Sequence, residues 1–181
     1  MVGFSTRYKQ RLQMCTPGNI VLFYQKFALL LLTVILLSSC GVANQQRAPQ
    51  QSATDSGQRS SILGALEEAH REWQGTPYIL GGSGINGVDC SSFTQIIFRD
   101  YLGKTLPRNT RAQLQEGNSV RRNQIQPGDL IFFRTGRDLL HVGIAMENGR
   151  FLHASVSSGV MISRLDQNYW ASRYLATRRL F

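Results

Sequence analysis

An amphipathic helical pattern follows Ser60 and Ser61. Apolar residues recur there every three or four positions, at Ile62, Leu66, Ala69 and Trp73. Either serine is a suitable N-cap, and Gly75 ends the pattern. This spacing predicts one helix at the start of the folded region, with its apolar face turned toward a core.

A second helical pattern begins at Cys90. Its apolar positions are Phe93, Ile96, Ile97 and Tyr101. Asp89 stands where an N-cap is expected, and Gly103 ends the run. The four glycines of residues 76–89 predict a loop before this helix, and residues 110–116 predict a further short helix.

Short apolar stretches separated by turn residues replace the helical spacing beyond residue 120. Five stretches are typical of β-strands: DLIFF (129–133), HVGIAM (141–146), RFLHAS (150–155), GVMIS (159–163) and YLATRRL (174–180). Asn148-Gly149 lies between two of them and is typical of a hairpin turn. Helices followed by strands predict an α+β fold in which the N-terminal helices pack on an antiparallel β-sheet.

The N-terminal region has a different pattern. Residues 27–37 are an uncharged apolar run, too short to span a bilayer and typical of the hydrophobic region of a signal peptide. Leu37-Ser38-Ser39-Cys40 resembles a bacterial lipobox, in which the cysteine is fatty-acylated and becomes the mature N-terminus. We therefore expect residues 1–39 to be a lipoprotein signal peptide. Inner-membrane lipoproteins of enteric bacteria carry aspartate after the cysteine, so Gly41 favours a lipid anchor at the periplasmic face of the outer membrane.

Polar residues 40–60 separate that leader from the folded region. They lack apolar periodicity, so we expect a flexible tether there and a folded domain at residues 61–181. Without residues 1–39 the chain carries 16 basic and 11 acidic side chains, a net charge of +5. The basic residues are scattered, which argues against nucleic-acid binding. A mildly positive surface suits an anionic cell envelope.

The chain contains three cysteines, Cys15, Cys40 and Cys90. The first would leave with the signal peptide and the second would carry lipid, so Cys90 would be the free thiol of an exported protein. A thiol in the first turn of a helix is favoured as thiolate by the helix dipole and is a candidate nucleophile; a buried, inert cysteine is the alternative. These spacings do not suit a closed zinc site, and we expect no metal or other cofactor.

A cysteine nucleophile needs a base, and histidine is suited to that role near neutral pH. The three histidines are His70, His141 and His153. His70 lies among charged residues of the first predicted helix and is expected to be a solvated surface residue. His141 and His153 flank the predicted hairpin and could form a Cys-His-His relay with Cys90.

The hairpin loop decides whether that relay is possible. A two-residue turn would pair residue 153 with residue 144 and place His141 and His153 on opposite faces of the sheet. A three-residue loop at 147–149, with Gly149 in the left-handed region and a bulge, pairs 153 with 143 and puts both imidazoles on one face. The catalytic hypothesis therefore predicts the odd-numbered loop.

Six motifs follow one another in order: TPYILGG, DCSSF, LPRNT, QPGDLIFF, HVGIAM and FLHAS. Together they resemble the NlpC/P60 family of cell-wall peptidases, a papain-like group of cysteine peptidases, over roughly residues 60–181. The resemblance implies an NlpC/P60 fold with Cys90 as nucleophile, His141 as general base and His153 as the residue that orients the base.

The resemblance also assigns residues around the nucleophile. Tyr78 matches a tyrosine that helps to hold the oxyanion, and Asp89 and Ser91 match residues with positioning roles. Ser92 stands where the family commonly has glycine, and its hydroxymethyl group is expected to crowd the backbone locally. Arg108 is a candidate for binding substrate carboxylates, and a solvated surface arginine is the alternative.

Members of this family hydrolyse amide bonds in the stem peptides of peptidoglycan, which implies a murein endopeptidase. We expect the protein to act as a monomer. The residues leave open whether the bond joins D-glutamate or D-alanine to diaminopimelate. Two other functions fit the same residues less well: a papain-like amidase or acyltransferase acting on another envelope substrate, and a non-catalytic adaptor that binds peptidoglycan. The chain order Cys, His, His argues against the permuted acyltransferases, and retention of all three residues argues against the adaptor.

Overall fold

The first helix is longer than its apolar pattern indicates. Helix α1 spans Ala48–Trp73, whereas we expected it to begin at Ser60 or Ser61. The expectation of a flexible tether at residues 40–60 is therefore wrong for residues 48–60. The physical reason is that lengthening an existing helix needs no new nucleus, and Gln, Ala, Ser and Arg tolerate helical geometry.

The computed structural model describes residues 48–181, with side chains from residue 55 onward. The predicted signal peptide, Cys15 and the acylation of Cys40 lie outside the described residues. Within the described part of the chain, no helix is long and apolar enough to cross a membrane.

The stretch that we predicted to be a loop contains a small antiparallel hairpin, β1 (Ser83–Gly84) paired with β2 (Gly87–Val88). Helix α2 follows at Cys90–Tyr101, as the sequence predicted, and α3 occupies Thr110–Gln113. Backbones approach closely at this hairpin, because a Cβ atom on Gly82 would lie 2.5 Å from the carbonyl oxygen of Gly87. The glycines therefore let the loop fold back onto the start of α2.

Six antiparallel strands form the main sheet, in the order β3-β8-β4-β5-β6-β7. Their bounds are β3 Asn118–Ser119, β4 Leu130–Arg134, β5 Leu140–Ala145, β6 Arg150–Ser155, β7 Gly159–Arg164 and β8 Tyr174–Arg179. The five predicted strands all form. The apolar pattern missed the two-residue strand β3, a 3₁₀ turn at Arg122–Gln124 and helix α4 at Asn168–Ala171.

The two faces of the sheet are covered differently. Helix α2 packs on β5 and β6, against the face that carries Phe132, Val142 and Leu152. The opposite face carries Phe133 and Phe151, with Trp170 and Tyr174 packed against them. Since side chains alternate along a strand, the odd-numbered residues of β5 and β6 belong to this second face.

Candidate active site

The start of helix α2 is fixed by a capping box. The Asp89 side chain accepts a hydrogen bond from the Ser92 backbone N–H at 2.7 Å, and the Ser92 hydroxyl accepts one from the Asp89 backbone N–H at 3.0 Å. The backbone N–H groups of Asp89 and Ser92, which have no partner within the helix, are thus both hydrogen-bonded. The capping box holds Cys90, the first residue of the helix, in a defined place against β5.

Cys90 is the one free cysteine among the described residues, and it is 6% exposed. Burial is the largest influence on its thiol and raises the pKa above its ordinary value, although hydrogen bonds from the Val142 backbone and the Thr110 hydroxyl act in the opposite direction. The Thr110 Oγ1 atom lies 3.7 Å from the sulfur. The expectation that the helix dipole favours thiolate is therefore outweighed by desolvation, and removal of the thiol proton needs a base.

The hairpin between β5 and β6 has the predicted register. Ile144 pairs with Leu152 and Ala145 with Phe151, which sets residue 143 opposite residue 153. His141 and His153 therefore share one face, and their Nε2 and Nδ1 atoms are 2.9 Å apart in a buried hydrogen bond. This is the arrangement that the odd loop requires.

The bulge that produces this register lies one position earlier than we expected. Asn148 and Gly149 both have positive φ, 57° and 68°, as a type I′ turn requires. The Met146 N–H donates to the carbonyl of Arg150, while the Arg150 N–H donates to the carbonyl of Glu147. Met146 and Glu147 thus both lie opposite Arg150, and this extra residue is the bulge.

There is no room for a side chain at Gly143, which lies in β5 opposite His153. A Cβ atom on Gly143 would lie 2.7 Å from a ring carbon of Phe151 and 3.1 Å from the Cβ of His153. Any side chain at this position would therefore push against the residue that holds His141. The glycine of the HVGIAM motif keeps this space open.

Ser163 extends the pair, and the sequence reasoning did not identify it. Its Oγ lies 2.9 Å from His153 Nε2, and the residue is 7% exposed. The register of β6 and β7 pairs His153 with Met161, so Ser163 is the diagonal neighbour of His153 on the same face. The same register argument that joined the histidines could have found it from GVMIS.

The hydrogen bonds restrict which tautomers can act as a base. His141 Nε2 is bonded to His153, so Nδ1 is the His141 nitrogen that no described residue hydrogen-bonds. For Nδ1 to accept a proton, Nε2–H must donate to His153 Nδ1, and His153 Nε2–H must then donate to Ser163. Burial lowers the pKa of His141 to about 4 and that of His153 well below its ordinary value, so both rings are neutral at pH 7.

Trp170 covers the histidine pair, and it too was missed. Its ring centroid lies 5.2 Å from that of His141 and 5.0 Å from that of His153. Trp170 comes from α4, a four-residue helix without an apolar repeat, so no pattern in the sequence indicated it. Beside it, Tyr169 and residues 155–158 line a cavity of about 490 Å³ that reaches His141.

The thiol and the histidines approach from different faces of the sheet. Helix α2 covers the Val142 face, whereas His141 lies on the opposite one. The sulfur contacts the backbone of Val142, the residue after His141, so the thiol lies one residue along β5 from the histidine. Among the described residues, the thiol has no direct hydrogen bond to His141. The resting site thus pairs a protonated thiol with a neutral imidazole.

Tyr78 lies beside the nucleophile's helix. It forms a parallel bridge with Val88, and the neighbouring Ile79 N–H donates to the Val88 carbonyl at 3.0 Å. Burial raises the pKa of the Tyr78 hydroxyl, and the nearby charges of Cys90 and Asp89 raise it further. The phenol therefore stays protonated at neutral pH and is a hydrogen-bond donor next to the thiol.

Arg108 does not project as a free substrate-binding group. Its two terminal nitrogens contact the two Asp89 oxygens at 2.9 and 2.7 Å, and one of them also donates to the Ser91 hydroxyl. The alternative of a solvated, unpaired surface arginine is therefore wrong, and the substrate-carboxylate role stays a prediction. Burial alone would raise the pKa of Asp89, but hydrogen bonds from Arg108, Ser92 and Ser91 lower it from 3.8 to about 2.

Comparison with known proteins gives this site its context. The model of the NlpC/P60 family matches residues 75–179. The chain is 41% identical to the probable endopeptidase NlpC of Escherichia coli, over 86% of this chain and 99% of that protein. The chain belongs to the NlpC/P60 family.

Two further likenesses agree with this membership. The chain is 37% identical to the murein DD-endopeptidase MepS/murein LD-carboxypeptidase of Escherichia coli, over 81% of this chain and 87% of that protein. A crystal structure of an NlpC/P60 family protein from Bacillus cereus superposes with a TM-score of 0.58 at 31% identity, covering 64% of this chain and 38% of that one. The predicted α+β NlpC/P60 fold is confirmed.

Ser92 is where the chain departs from the common NlpC/P60 pattern, and the structure shows what it does. Besides accepting from Asp89, its hydroxyl donates to the Gly82 carbonyl at 2.5 Å. The side chain thus ties the glycine loop to the helix start. We expected local crowding, but the hydroxyl makes hydrogen bonds there that glycine could not make.

The remaining histidine stands apart from the site. His70 lies in the last turn of α1 and is half-buried, with no part in the hydrogen-bonded line described above. Across residues 55–181, no group of three His, Cys, Asp or Glu side chains is arranged to hold a metal ion.

Proposed function

We propose that this protein is a peptidoglycan endopeptidase, a cysteine peptidase that hydrolyses amide bonds in the stem peptides or crosslinks of the cell wall. One observation carries the proposal: the buried line His141–His153–Ser163 begins at the residue before Val142, whose backbone contacts the free thiol of a capped helix. Its similarity to proteins named an endopeptidase and a murein DD-endopeptidase supports the substrate class.

In the first step His141 Nδ1 accepts the thiol proton, and the Cys90 sulfur attacks the amide carbonyl carbon. The imidazolium that forms is stabilised because Nε2–H donates to His153, whose own Nε2–H donates to Ser163. Two neutral groups thus become an ion pair only as the reaction begins. Burial strengthens the attraction between these charges.

In the second step the tetrahedral intermediate expels the amine, which takes the proton from His141, and a thioester remains on Cys90. Water then attacks the thioester carbonyl, with His141 again taking a proton, and the carboxylate product leaves as the thiol is restored. The Tyr78 hydroxyl and backbone N–H groups at the start of α2 are the donors available to the oxyanion.

We also propose that Cys40 is acylated and holds the protein at the periplasmic face of the outer membrane, where its substrate lies. The lipobox-like sequence Leu37–Cys40 supports this, and two or more acyl chains make attachment stable. We further propose that it acts as a monomer, since Cys90, His141 and His153 all come from one chain.

The endopeptidase proposal is tested by incubating purified peptidoglycan with the protein and with its Cys90→Ala variant, then identifying released fragments by mass spectrometry. We expect fragments from the wild type alone, and their masses identify the bond as D-glutamyl or D-alanyl to diaminopimelate. Binding of both forms to the wall without release of fragments from either would contradict the proposal and favour an adaptor.

The anchor is tested separately by labelling cells with radioactive palmitate. We expect label on the wild type and none on Cys40→Ser, and we expect the labelled protein in the outer-membrane fraction. Label in the inner-membrane fraction would contradict the location, and an unlabelled wild type would contradict the anchor.

A further inference from the structure

A second cavity opens beside the active site, on the side of α3. It has a volume of about 320 Å³, and three arginines line it: Arg111, Arg134 and Arg137. Leu140 and Asp138 complete the part nearest the hairpin between β4 and β5. No role in the proposed mechanism uses this cavity.

The cavity carries excess positive charge. Among the described residues, none of the three arginines forms a salt bridge, and neither does the carboxylate of Asp138. Arg111 instead donates to the backbone carbonyl of Asp138 at 3.1 Å, which holds α3 against the hairpin. Six other described arginines do pair with carboxylates: Arg59, Arg99, Arg108, Arg150, Arg164 and Arg179. Three guanidinium groups around one cavity repel one another unless an anion joins them.

The position of the cavity ties it to the reaction. Arg111 follows Thr110, whose hydroxyl contacts the Cys90 sulfur at 3.7 Å. Leu140 precedes His141 in β5. The cavity lining thus includes the residue before His141 and the residue after Thr110, so a peptide lying across Cys90 would place a neighbouring residue within its reach.

We propose that this cavity is a carboxylate-binding subsite, in which Arg134 and Arg137 hold a free carboxylate of the stem peptide next to the scissile bond. The proposal rests on the proposed function and adds the residues that select the substrate. Guanidinium groups match carboxylates through paired N–H donors, which a neutral or amidated residue cannot engage equally well. Arg111 positions α3 and contributes the third charge.

The test compares the double variant Arg134→Gln/Arg137→Gln with the wild type. The substrates are a synthetic stem peptide with free glutamyl and diaminopimelyl carboxylates and the same peptide with both amidated. Arg71→Gln/Arg121→Gln removes two exposed arginine charges that do not line the cavity and is the matched control. Equal melting temperatures of the two double variants would show that both are folded.

We expect the wild type and the control to prefer the free-carboxylate peptide. The cavity variant should raise KM for that peptide about tenfold or more, with kcat nearly unchanged, and lose the preference. A cavity variant that keeps the preference, or a wild type that cleaves both peptides equally well, would overturn the subsite.

Failure of the subsite and failure of the proposed function can be told apart by binding. The same arginine substitutions are made in Cys90→Ala protein, and affinity for both peptides is measured by calorimetry. If the wild type cleaves neither peptide and releases no fragments from purified peptidoglycan, but the Cys90→Ala protein prefers the free-carboxylate peptide through Arg134 and Arg137, the endopeptidase proposal fails and the subsite stands. Equal affinity for the two peptides overturns the subsite.

Discussion

Replacing Asp89 by Asn tests how the active-site helix is held. Asn keeps the volume and the ability to cap Ser92 N–H, but it loses the charge that Arg108 pairs with. The Asp89 side chain is 8% exposed, and its pKa falls from 3.8 to about 2. A shift of that size corresponds to about 2 kcal/mol, since each pKa unit is about 1.4 kcal/mol. We expect Asp89→Asn to lower the free energy of unfolding by about this amount at pH 7.

The pH dependence gives the sign of the effect. Because the folded-state pKa of Asp89 is lowered, its stabilisation is fully present above pH 3.8 and is lost as the pH falls toward 2. Urea unfolding followed by tryptophan fluorescence should therefore show a difference in unfolding free energy between wild type and Asp89→Asn that narrows as the pH falls from 3.8 toward 2. Asp166→Asn is the control, because its pair with Arg164 is 63% and 53% exposed and should contribute little. Equal losses in the two variants, or a gap that does not change with pH, would refute the reasoning.

Three further predictions concern the histidine line. Ser163→Ala should lower kcat about tenfold, because His153 Nε2–H loses its acceptor and the tautomer is no longer fixed. Ser163→Thr keeps a hydroxyl group and should retain activity. Equal kinetics of the two variants would contradict this. Gly143→Ala should cost about 1–3 kcal/mol in urea unfolding through overpacking against Phe151, while Gly64→Ala, with open space around it, should not destabilise. Burial lowers the pKa of His141 from 6.5 to about 4, so the unfolded state binds more protons than the folded state between these pH values. The free energy of unfolding should therefore fall by about 3 kcal/mol as the pH is lowered from 6.5 to 4. An equally steep fall in His141→Gln would contradict this.

Local chemistry in the sequence was sufficient for much of the fold. The short apolar stretches DLIFF, HVGIAM and RFLHAS predicted three central strands, and Asp89 before Cys90 predicted the helix cap, because both signals depend on neighbours in the chain. Counting residues from Asn148-Gly149 was enough to predict which loop length would place His141 and His153 on the same face of the sheet. The sequence could not predict the position of the bulge, because the bulge is defined by the cross-strand hydrogen bonds of Met146 and Glu147 with Arg150.

What tertiary structure decided were the contacts between residues far apart in the chain. Arg108 resembled a substrate ligand until folding set it against Asp89, 19 positions away. Trp170 reaches the histidines from a short helix with no apolar repeat, and the thiol contacts the backbone beside His141 from the other face of the sheet. The pKa of Cys90 also depended on burial, which outweighed the helix dipole. Periodicity reports which face of an element is buried, whereas pairing, desolvation and charge balance depend on what the fold brings against that face.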